Sequence, residues 1–128
     1  MDLASQQKIE DQNYQYRLRL EELQDAQVEN KKERRFLESL QEQFYHVQQQ
    51  ENTMYQQSLN EVEPEERAFF EERLTEGTQL SRKALQEFEE EQEQLQKDYE
   101  DLLENEDSTR SEQRTFLKNE GEENKSGS

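Results

Sequence analysis

The residue types that most often carry chemistry are scarce or scattered in this chain. There is one histidine, His46, and there is no cysteine. A lone imidazole with no second histidine and no thiolate makes a poor metal site, because zinc sites draw on three or four such ligands. The acidic runs supply many carboxylates, but they lack the glycine turn and alternating Asp/Asn ligands of a calcium-binding loop. No glycine-rich phosphate cradle and no nucleophile motif occurs. Carboxylate pairs are abundant, yet a carboxyl tuned for acid–base work needs a desolvated cleft, and the elements read below provide none. The chain is expected to be non-enzymatic, with no catalytic residue, no metal and no cofactor.

What remains are aromatic side chains on a highly charged chain. There are five Tyr and six Phe, against a hydrophobic fraction of 27% and a charged fraction of 38%. That is too little apolar material for a compact spherical core. It leaves disorder, or a long helix that needs only a narrow apolar stripe. The abundant Glu, Gln, Leu, Lys and Arg favour helix. The formal charge of −17 is repelled by phosphate backbones and anionic membrane surfaces, so neither nucleic acid nor membrane is an expected partner. No apolar run approaches the length of a membrane span. The segment Met1 to Gln7 has neither a basic stretch nor an apolar one, so a Sec-type signal is not expected there. A cytoplasmic protein follows, with any export alongside a client taking a non-Sec route.

The elements are set by one strong breaker. Pro64 suits the first turn of a helix and disfavours helix at Glu63. Glu65 and Glu66 then sit at the positive end of the new helix dipole. The chain reads as all-α, a long antiparallel two-helix hairpin over residues 1–118. Its first helix runs from about 3 to 59, its turn is 60–63, and its second helix runs from about 64 to 118. Residues 119–128, acidic and containing Gly121, read as a disordered tail. Gly77, between Glu76 and Thr78, is a candidate for a second break.

Apolar residues recur at coiled-coil spacing. Leu37, Leu40, Phe44, Val47 and Met54 form one row, and Ile9, Tyr16, Leu20 and Leu23 an earlier one. Their phases differ, which predicts a stutter around Ala26 to Arg34. In the second helix Leu74, Ser81, Phe88, Leu95, Leu102, Thr109 and Phe116 share one heptad position, flanked by Phe70, Ala84, Leu85 and Tyr99. If the chain reverses near Val62, facing residues have numbers summing to about 124. Leu40 then faces Ala84, Met54 faces Phe70, and Ile9 falls near Phe116. The basic block 31–35 falls opposite the acidic block 87–93, Arg17 and Arg19 opposite Glu106 and Asp107, and Arg73 opposite Glu51. A parallel dimer of the same rows is the alternative.

Eleven aromatics are many for one seam. Either they thicken the seam near the turn and at the far end, or several form a second apolar strip for a partner helix. Tyr45, Tyr55 and Phe69, near the turn, are the partner-binding candidates under the second reading. Phe116 and Glu120 place an aromatic four residues before an acid near the end of the second helix; the simpler reading is that Phe116 closes the seam.

From Leu3 to Glu120 the architecture resembles the small acidic helical-hairpin proteins of Gram-positive type VII secretion. These include the ESAT-like Trp-x-Gly proteins and the accessory or targeting proteins encoded beside LXG-domain toxins. The turn at Asn60 to Pro64 has no Trp-x-Gly, and the chain has no Trp, so the likeness points to the accessory type. It implies an adaptor or targeting chaperone for a helical client, an LXG toxin with a second small helical partner. It also implies that Phe116 and Glu120 match the spacing of an export signal. A self-associating spacer or scaffold, working as a homodimer, is the competing expectation.

Overall fold

The computed structural model describes residues 2–126, with side chains as far as Gly121. It consists of two helices, α1 (Leu3–Glu61) and α2 (Pro64–Ser126), arranged as an antiparallel hairpin. Asp2 starts α1 as its cap. Its carboxylate accepts the Ser5 N–H at 2.7 Å while its carbonyl accepts the first helical bond, from Gln6 N–H at 3.1 Å. This satisfies donors that a helix start otherwise leaves open. At the other end, Val62 N–H closes the last turn of α1 on Ser58. The carbonyl of Glu63 then accepts from Glu66 and Arg67, so α2 begins at Pro64, where the missing N–H costs nothing. The turn is therefore shorter than expected, residues 62 and 63 alone.

The candidate break at Gly77 does not occur. Gly77 lies inside α2 without a positive φ, because propagating an established helix gains a hydrogen bond that outweighs glycine's intrinsic penalty. For the same reason the segment expected as a tail from 119 onward is helical as far as Ser126. The last two residues of that expected tail lie outside the described ones.

The packing divides the chain into a turn unit, residues 32–95, and a terminal unit of residues 1–31 with 96–128. In the turn unit Phe44 packs on Phe88, with ring centroids 5.8 Å apart. Gln92 Nε2 donates to Gln41 Oε1 at 2.6 Å. In the terminal unit Tyr16 packs on Phe116 at 5.9 Å, Gln113 Nε2 donates to Asn13 Oδ1 at 2.8 Å, and Gln27 Nε2 donates to the Glu106 carboxylate.

The numbers of both aromatic pairs sum to 132 rather than about 124. Side-chain direction moves the register this way. Each Cα–Cβ bond leans toward its own helix N-terminus. In an antiparallel pair, α1 side chains therefore lean away from the turn and α2 side chains toward it. Tips that meet belong to residues further along both helices. The expected charge facings change accordingly. Arg19 pairs with Glu112 at 3.6 Å. Glu106 is held by Gln27 and by Arg110 of its own helix. Arg73 pairs with Glu76, also on its own helix.

In α1 the seam keeps Ile9, Tyr16, Leu20, Leu23, Leu37 and Phe44 of the expected rows but joins them in one continuous phase. Ile9, Asn13, Tyr16, Leu20, Leu23, Gln27, Asn30, Arg34, Leu37, Gln41, Phe44 and Gln48 are all buried or half-buried, an unbroken alternation of four and three, with Leu18 and Ala26 half-buried beside it. There is no stutter. Polar side chains carry the heptad through the stretch where the apolar phase is lost, and Leu40, Val47 and Met54 fall outside it. In α2 the expected row holds, from Leu74 to Phe116 and on to Glu120. Its Thr109, only 2% exposed, keeps its hydroxyl satisfied by donating to the Asn105 carbonyl at 2.8 Å. Among the described residues Leu95, at 8% exposure, is the only apolar side chain that is fully buried.

Candidate protein-binding face

The residues left outside the seam are not scattered. Phe36, Leu40, Val47 and Met54 lie on α1 at spacings of four, seven and seven. At about 100° per residue they fall within about 40° of one another. All four are exposed, Phe36 and Met54 at 66% each. They form a narrow apolar row beside the seam residues Leu37 and Phe44. An isolated exposed Leu or Phe means little, but a contiguous apolar strip on a charged protein marks a contact surface.

The facing flank of α2 in the same unit completes this surface. A trough of about 580 Å³ runs between the helices, lined by Phe36, Leu40, Phe44, Ala84, Phe88 and Leu95. Its volume lies within the range of small-molecule sites. However, it is open along its length and has no convergent buried polar groups, so it suits apolar side chains presented by another protein. Glu33, Glu87 and Glu91 stand at its edges. One heptad from Glu87 toward the turn, Leu80 is 69% exposed.

The expected aromatic candidates do not come together. Phe69 is exposed near the turn, with the Phe70 ring edge-on at 5.8 Å and the Arg73 guanidinium 5.0 Å from its centroid. By helical phase it lies on the same side of α2 as Leu80. Tyr55 is half-buried and continues the seam one heptad past Gln48. Tyr45 is exposed on the opposite flank, in a shallow hollow with Glu38, Glu42 and Leu85, and its hydroxyl accepts from Gln49 at 3.0 Å. Phe116 is a seam residue whose ring packs on Tyr16, and Glu120 is half-buried at the next seam position.

Leu40, Val47 and Met54 were visible in the sequence, but as seam together with Leu37 and Phe44, and Phe36 was not read into any row. The signal that could have separated the two roles is the second row, Gln41, Phe44 and Gln48, whose glutamines suit a pairwise hydrogen-bonded seam. His46 is exposed on α1 within reach of Gln50. No group of three or more His, Asp or Glu is placed to hold a metal among the described residues, and no helix there is long and apolar enough to cross a membrane. Comparison with protein-family models, with characterised proteins and with solved structures finds no match to this chain.

Proposed function

We propose that this chain is a non-enzymatic adaptor that holds a helical segment of another protein. The observation that carries this reading is the exposed row Phe36, Leu40, Val47 and Met54 beside a seam that itself contains little buried apolar surface. A helix that spends its best apolar row outside its own hairpin leaves that row for another helix, in the helix-in-groove mode of recognition. The resemblance to type VII secretion accessory proteins supplies a concrete client, the helical region of an LXG-type toxin, with the adaptor acting before export.

The test is co-expression with the product of a neighbouring gene that carries a long helical region. The chain should co-purify with it. Changing Phe36, Met54 and Leu80 to Ser should abolish capture while leaving the helical circular dichroism unchanged, since these side chains are exposed in the free protein. A triple variant that captures the client as well as the parent would overturn the reading.

A further inference from the structure

We infer that the occupant of the trough between Phe36 and Ala84 is a basic amphipathic helix of another protein, and not a second copy of this chain. This rests on the adaptor reading and adds the chemistry of the partner. The floor of the trough is apolar and its edges are the carboxylates of Glu33, Glu87 and Glu91. All three are exposed, and none has an ion-pair partner among the described residues. Elsewhere Glu71 is paired with Arg67 and Glu76 with Arg73 on the same helix, whereas these three carboxylates border an apolar surface. An apolar slot between unmatched carboxylates favours a helix with an apolar row bordered by Lys or Arg, because such cations gain contacts without displacing existing ones.

The same edges disfavour self-association. A two-fold dimer through one face sets each patch against its own copy, which here brings carboxylate edge toward carboxylate edge. Each chain also carries a formal charge of −17, so two copies repel at low salt. A basic helix reverses the sign of both effects.

The test uses the full chain and two synthetic amphipathic helical peptides with the same leucine row, one bordered by Lys and one by Glu. Binding is read by fluorescence anisotropy at low and high salt, with sedimentation velocity on the chain alone. The Lys-bordered peptide should bind about tenfold or more tighter than the Glu-bordered one, and the gap should narrow as salt screens the edges. Changing Glu33, Glu87 and Glu91 to Gln should remove most of that gap. The Phe36→Ser and Leu80→Ser changes should lose both peptides. Equal affinity for the two peptides would overturn the basic-partner inference and leave the docking face standing. Binding of neither peptide by a monomeric chain would overturn both. Self-association lost on Phe36→Ser would overturn the inference in favour of a second copy.

Discussion

Gln41 and Gln92 meet side chain to side chain across the seam of the turn unit, amide to amide at 2.6 Å. A polar pair at this position binds less strongly than two leucines would, but it is satisfied only in one register. With Asn13 and Gln113 in the terminal unit, it explains how helices with so little buried apolar surface keep one alignment. It also explains why the neighbouring apolar row is free to serve something else.

Breaking that pair should therefore cost more than removing it. Gln92→Leu leaves the Gln41 amide in the seam without its partner and should destabilise the chain by about 1–3 kcal/mol. Gln41→Leu with Gln92→Leu should recover that loss or exceed the parent in stability, and should broaden the range of associated species in sedimentation velocity. Urea unfolding of the three proteins checks this; a single variant as stable as the parent would show that the pair is not formed.

Gly77→Ala should stabilise the protein by about 1 kcal/mol. Gly77 has helical backbone without a positive φ, and an added Cβ would meet nothing within 4 Å. Thermal unfolding should shift upward by a few degrees. A downward shift would mean that α2 breaks at this glycine.

Glu106 should titrate below the ordinary glutamate range. The Gln27 amide donates to its carboxylate first of all, and the Arg110 guanidinium adds a second set of hydrogen bonds and its charge. A carboxyl lowered in the folded state adds stability above its unfolded pKa, and this is lost as pH falls through the folded value. Carbon-detected NMR titration should show Glu106 protonating at lower pH than the parent's exposed glutamates. Gln27→Leu should raise its midpoint. An unchanged midpoint would remove the Gln27 contact from the account.

Phe116→Ala should loosen the terminal unit. The ring sits in the seam against Tyr16, and truncating it should cost on the order of 1–3 kcal/mol. Hydrogen exchange should speed up around residues 13–20 and 109–116. If exchange is unchanged while client export fails, Phe116 and Glu120 act as a signal and not as packing.

The two helices and their junction were legible because Pro64 is an unambiguous breaker and the composition leaves few alternatives to helix. The row from Leu74 to Phe116 was legible because its large apolar residues repeat at sevens. The α1 seam was legible only in part: Ile9, Tyr16, Leu20, Leu23, Leu37 and Phe44 lie in it as expected, and its polar members did not show. Apolar periodicity reports that a row is buried against something, and cannot say whether the cover is the same chain or another. Leu40, Val47 and Met54 therefore read as seam, while Gln27, Arg34, Gln41 and Gln48, which lie in it, carry no apolar signal. The facing numbers sum to 132 for the two aromatic pairs but 126 for Asn13 and Gln113, because which tips meet depends on side-chain length and lean, a three-dimensional property. Tyr45 and Phe69 looked alike in sequence and lie on opposite flanks, since 23 intervening residues and a turn separate their phases.

The most direct test of the central claim is amide chemical-shift mapping of the labelled full chain on addition of the Lys-bordered helical peptide. Changes should concentrate at Phe36, Leu40, Val47, Leu80 and Ala84, with little at Glu38, Glu42 and Tyr45. Changes centred on the Tyr45 flank, or confined to the seam with loss of the Phe44 to Phe88 contact, would contradict it.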